Sequence, residues 1–124
     1  MWLKDGMERM AQRKKERLER NRDAIEIAGR LVPGKVLDVT ETAGRGGRRY
    51  VDVYIEDNKG EERNVHLAFD NNELKAVVVD KAGMVKVADE WRVYHHRSYA
   101  DSDPIAYTAT FEDAVAELTA RGLL

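Results

Sequence analysis

The sequence predicts an α+β protein: a long charged N-terminal helix, an antiparallel β-meander or small barrel of about six strands, and a short C-terminal helix. Three observations predict it. Residues 5–31 combine helix-forming side chains with acid–base pairs four apart and meet no proline until Pro33. Residues 35–110 fall into short runs of alternating apolar and polar residues divided by turn residues. Residues 111–121 return to helical spacing behind a threonine suited to capping. A chain of 124 residues supports one hydrophobic core, so all three parts belong to a single domain spanning 1–124.

In the first helix, Asp5-Gly-Met-Glu8 reads as a capping box, with Asp5 accepting from the first turn and Glu8 reaching back. Pro33-Gly34 ends the helix, because proline disfavours helical geometry in the residue before it. Asp5/Arg9, Glu16/Arg20 and Glu26/Arg30 are spaced for ion pairs in the better, acid-first orientation, worth about 0.2–0.5 kcal/mol each. The stretch from Glu8 to Asp23, ERMAQRKKERLERNRD, holds seven bases and four acids but only three apolar residues, so little in it demands burial. Ala11, Leu18, Ile25 and Val32 recur every seven residues; the companion positions Met7, Lys14, Asn21 and Ala28 make a second seam that is polar in its middle. From Asp23 onward the density of Ile25, Ile27, Ala28, Leu31 and Val32 suffices for docking. The expected picture is a helix anchored by its last two turns with its front half projecting.

Among the strands, Lys35–Thr40 precedes the turn Ala43–Gly47, and Tyr50–Ile55 follows with Val51, Val53 and Ile55 on one face. Asp57-Asn-Lys-Gly60 is a hairpin turn, after which Asn64–Phe69 points Val65, Leu67 and Phe69 inward. Asp70-Asn-Asn72 breaks the chain; Leu74–Val79 and Met84–Val87 flank the loop Asp80–Gly83. Trp91–His95 places Trp91, Val93 and His95 in phase, a polar loop runs from Ser98 to Pro104, and Ile105–Ala109 is the last strand. Hairpin-length connections imply antiparallel pairing. Thr110 caps the closing helix, Phe111, Ala114, Val115 and Leu118 share a face, and Gly122 follows the last turn.

The absence of cysteine excludes disulfides, a thiolate nucleophile and cysteine-based zinc sites. No apolar run approaches the roughly twenty residues of a membrane span, and the start of the chain lacks a secretory signal, so a soluble cytoplasmic protein with no membrane contact is expected. The net charge of -2 conceals a split. Residues 1–50 carry thirteen Lys/Arg against eight Asp/Glu (+5), and residues 51–124 carry eight against fifteen (-7). Such asymmetry suits an acidic partner or attraction between copies.

Candidate chemistry is sparse. His95 and His96 point to opposite faces of a strand, and His66 lies outward in phase with Asn64; no His-x-His or His-x-x-x-His occurs. His95, in phase with Trp91 and Val93, reads as a partly buried, satisfied histidine. Asp101 and Asp103 lack the remainder of a calcium loop and suit a turn before Pro104. The loop Gly44–Gly47 is followed by a strand, whereas a phosphate loop needs a helix there. No catalytic, cofactor-binding or metal-ligating residue is assigned.

The favoured reading is a small non-enzymatic binding protein whose helix contacts a protein partner or another copy of the chain through Met10, Leu18 and Ile25. The alternative is a nucleic-acid-binding module. In it, Arg13, Lys14, Lys15 and Arg17 on the helix, with Arg45, Arg48 and Arg49 around the hairpin loop, contact phosphates. Tyr50 and Tyr54, outward on the next strand, stack on unpaired bases. An enzyme is the third reading, requiring a pocket that joins His95 or His66 to a carboxylate.

Overall fold

Strict alternation of apolar residues commits each strand to one buried face, and short turns make each of the first six strands pair with its neighbour in sequence. In the computed structural model, which describes residues 2–80, 82–95 and 103–124, this produces one open antiparallel sheet. The strands are β1 (Gly34–Ala43), β2 (Arg48–Asp57), β3 (Glu62–Asp70), β4 (Glu73–Val79), β5 (Ala82–Val87), β6 (Glu90–Tyr94) and β7 (Ala106–Thr108), in spatial order β1 to β7. The architecture is the expected α+β one, with seven strands where about six were expected, and the sheet does not close into a barrel: β1 and β7 are its two edges.

One face is the core face. Val51, Val53, Val65, Leu67, Val77, Val79, Met84 and Val93 are all essentially inaccessible and face one another across the register. Two bulges keep this face in phase. Leu37 is the extra residue that lets both Val36 and Val39 turn inward, and Lys75 does the same for Leu74 and Val77. The two-residue turn Asn71-Asn72 has φ of 50° and 67°, the left-handed pair that matches the twist of a tight hairpin.

Helices cover the core face only. Ala24, Ala28 and Leu31 of α2 (Arg22–Leu31) pack over β1 and β2. Ala114 and Leu118 of α3 (Phe111–Ala120) pack over β5 to β7, where Phe111 meets Trp91 edge-on at 5.4 Å. Thr110 caps α3 by accepting from the Asp113 N–H at 3.1 Å, and Gly122 takes the left-handed φ of 69° just past its end, both as expected.

The lead segment departs from expectation. The helix starts at Trp2, so Asp5 sits inside its first turn and the Asp5/Glu8 capping box does not form. It is also two segments, α1 (Trp2–Arg20) and α2, separated at Asn21. The buried stripe is Asn21, Ala24, Ala28 and Leu31, on the seam with a polar middle, because only that seam presents small side chains for close approach to the sheet. His95 is exposed just beyond β6, since the buried run ends at Tyr94. His96, Asp101 and most of the Ser98–Pro104 loop lie outside the described residues. No helix among the described residues is long and apolar enough to cross a membrane.

Candidate interaction surfaces

The first surface is created by a clamp that sets where α1 leaves the body. Asn21 is 0% exposed, so each of its polar atoms requires a partner. Its Nδ2 donates to the Arg17 carbonyl at 2.9 Å and to Glu41 Oε2 at 3.3 Å, and its Oδ1 accepts from Arg49 Nη2 at 2.7 Å. Arg49 also bridges Asp23 at 3.0 Å and Glu41 at 3.2 Å, and its guanidinium lies 4.9 Å from the centre of the Phe69 ring. Hydrogen bonds from Arg49 hold the Asp23 carboxyl below its ordinary value. One turn earlier, Arg17 pairs with Asp38 at 3.1 Å and donates to the Val39 carbonyl at 3.3 Å on the edge strand. Burial pushes the Asp38 carboxyl up, but the Val39 N–H and Arg17 outweigh it and the group stays low.

Two of the seven cations expected to meet phosphates, Arg17 and Arg49, are therefore spent inside the fold. Two of the three residues assigned to the partner seam, Leu18 and Ile25, are half-buried against the core. Met10 is 69% exposed and Met7 66% exposed on the overhanging part of α1. Arg13, Lys14 and Lys15 are exposed there and form no ion pair among the described residues. Of the helical pairs, Glu26–Arg30 forms at 3.2 Å; Arg9 instead donates to the Asp5 carbonyl, and Arg20 turns to Glu41. Because Arg20 meets Glu41 and Arg17 meets Asp38, α1 runs away from the hairpin tip. Arg45 and Arg48 are exposed at that tip.

The second surface is the sheet face opposite α2 and α3. Cross-strand register places Tyr50, Ala68, Ala76, Val85, Arg92 and Tyr107 in one row across β2 to β7. The adjacent row is Thr40, Asp52, His66, Val78, Gly83 and Tyr94. Tyr54 lies beyond it between Asp38 and Asn64. The Tyr50 and His66 rings are nearly parallel, 6.1 Å apart with 13° between planes. Asp52 Oδ1 orients His66 through Nδ1 at 2.9 Å and accepts from Asn64 Nδ2 at 3.3 Å. Arg92 lies 5.9 Å from the Tyr107 ring centre. A cleft of about 200 Å³ opens beside Tyr50, lined by Arg48, Ala68, Phe69, Asp70 and Lys75. The sequence signal for this face was Ala68, Ala76, Val78 and Val85 at outward positions where an exposed strand face is ordinarily polar.

His66 with Asp52 has the form of an oriented base, but no serine or cysteine lies beside it in the register. Among the described residues no three His, Asp or Glu side chains converge as a metal site. A larger cleft of about 390 Å³ lies between the ends of α2 and α3 and the β2–β3 turn, lined by Arg30, Pro33, Lys59, Arg63 and Leu124 among others. Arg63 there is committed to Asp57 and Asp80. No protein-family model, no curated protein and no solved structure matches the chain.

Proposed function

We propose that the protein is a small non-enzymatic binding module that associates with a second copy of itself through the overhang of α1. The observation that carries this is the pair Met7 and Met10, each about two-thirds exposed, on the helical stripe that three turns later becomes the buried docking face Asn21–Ala24–Ala28. Beyond Lys14 and Arg17 the stripe carries these two methionines, which the described residues leave exposed.

Charge favours a copy of the same chain as occupant. From Lys4 to Lys15 the helix carries five cations against two acids, while residues 51–124 carry a balance of -7. The overhang of one copy is thereby attracted to the body of another. Burying both methionines contributes about 3–6 kcal/mol against the cost of association.

Light scattering across protein concentration at low and high salt tests this. The wild type is expected above monomer mass at low salt, and Met7→Glu with Met10→Glu is expected to be monomeric with an unchanged melting temperature. A wild type that stays monomeric throughout sinks self-association and leaves a different protein as the partner of the helix.

A further inference from the structure

We infer that the sheet face opposite the helices is a platform for single-stranded nucleic acid, with one base seated against Tyr50. This surface is on the opposite side of the sheet from α2 and is independent of the overhang.

The geometry starts from Tyr50. His66 is stacked with its ring at 6.1 Å, and Tyr50 also lines the cleft formed with Arg48, Ala68, Asp70 and Lys75. A planar base entering that cleft meets the Tyr50 ring. Base–aromatic stacking is sequence-tolerant because every base has a π-face. The rim supplies charge for the backbone: Arg48 and, at the hairpin tip, Arg45 are exposed and make no ion pair among the described residues. Asp70 lies opposite Arg48 in the register, also without an ion pair, and is an acceptor for the amino group of a base.

The platform continues past one nucleotide. Ala68, Ala76 and Val85 form a low floor between Tyr50 and Tyr107, and Tyr107 is 60% exposed with Arg92 beside its ring. Tyr50 on β2 and Tyr107 on β7 are separated by five strand spacings, roughly 24 Å, the length of about seven bases stacked 3.4 Å apart. Between the two tyrosines the row is built of small aliphatics, and the face has the flat rings and rim cations that a single strand uses. A duplex, with its bases already stacked, cannot offer them to Tyr50.

Fluorescence anisotropy with a labelled single-stranded oligonucleotide of mixed sequence, about ten nucleotides long, tests the inference. Saturable binding that weakens with added salt is expected. Tyr50→Ala is expected to weaken it about 5- to 150-fold, Tyr50→Phe to preserve it, and Arg45→Ala with Arg48→Ala to flatten the salt dependence. Circular dichroism confirms that each variant is folded. The Met7→Glu, Met10→Glu variant is expected to bind as the wild type does, which separates this inference from the reading of α1. Four results overturn it: no binding at low salt; binding indifferent to Tyr50→Ala; equal affinity for a duplex of the same sequence; or self-association of the wild type that Tyr50→Ala or Tyr107→Ala abolishes, which makes the face a protein interface.

Discussion

Arg49 Nη2 donates a 2.7 Å hydrogen bond to the side-chain oxygen of Asn21, tying the second residue of β2 to the break between α1 and α2. Asn21 is the only buried polar residue among the described residues, and Arg49 is the cation that answers it while also neutralising Asp23 and Glu41. The pair fixes both the docking of α2 and the point from which α1 departs.

Replacing Arg49 with methionine keeps the aliphatic stem over Phe69 but leaves Asn21 Oδ1 and the Asp23 carboxylate without their side-chain donor, while Glu41 keeps Asn21 and Arg20. The Arg49 side chain is only 20% exposed, so the loss is expected to be about 2–3 kcal/mol. Urea unfolding measures it; a cost below about 0.5 kcal/mol, the level of an ordinary surface substitution, contradicts the clamp.

Acid is expected to unfold the protein through the same contacts. Arg49 lowers Asp23, and Lys86 and Lys75 lower Glu73; in Asp57 the Glu61 N–H outweighs burial, and in Asp38 the Val39 N–H and Arg17 do so. A folded-state pKa below the unfolded one stabilises the fold above the unfolded value. That contribution is lost as pH falls through 4.5 for Glu and 3.8 for Asp toward the folded values. The melting temperature is therefore expected to drop below about pH 5. Arg49→Met, which removes the cause of the Asp23 shift, is expected to show a shallower acid limb; identical limbs in thermal melts from pH 3 to 7 would refute the assignment.

Leu18 and Met10 lie on one helix but belong to different energetics. Leu18 packs against the core and Met10 does not, so Leu18→Ala is expected to cost about 1–2 kcal/mol and Met10→Ala less than about 0.5. Amide exchange provides a second reading. A polar helical stretch without packing is marginal in water, so amides of Lys4–Glu16 are expected to exchange faster than those of α2 in dilute monomer, and to slow on association. Equal protection along both helices in dilute monomer would show that the overhang has a packing partner within its own chain.

Ala88 holds a left-handed φ of 55° in the two-residue turn between β5 and β6. That conformation costs a residue with a Cβ about 1–2 kcal/mol, partly offset in glycine by greater unfolded-state freedom. Ala88→Gly is expected to stabilise the protein by about 0.5–1 kcal/mol, read as a rise in the urea midpoint at unchanged slope.

The body of the fold was legible because its signals are local. Alternation in Tyr50–Ile55 and Asn64–Phe69 dictates which side chains go inward, and Asp57–Gly60 and Asp70–Asn72 leave only hairpin pairing between neighbours. The lead helix was harder to read. Its more apolar register, Leu18 and Ile25, looked like the seam for a partner, whereas the fold buries the neighbouring stripe because Asn21, Ala24 and Ala28 admit close approach. A buried asparagine is unreadable until its donors and acceptors are placed, and Arg49 and Glu41 lie at least twenty residues away in sequence.

Element order, the inward face of β2 and β3, the α3 cap and the uneven charge follow from local sequence, since each depends on residues within a few positions of one another. Tertiary structure alone decided that the sheet stays open and that Arg17 and Arg49 serve the fold. It also decided that Tyr50 lies on His66 and beside Arg48, and that Met7 and Met10 stand clear of the body. Those outcomes depend on which side chains from distant segments meet across strands, and register, not composition, sets that meeting.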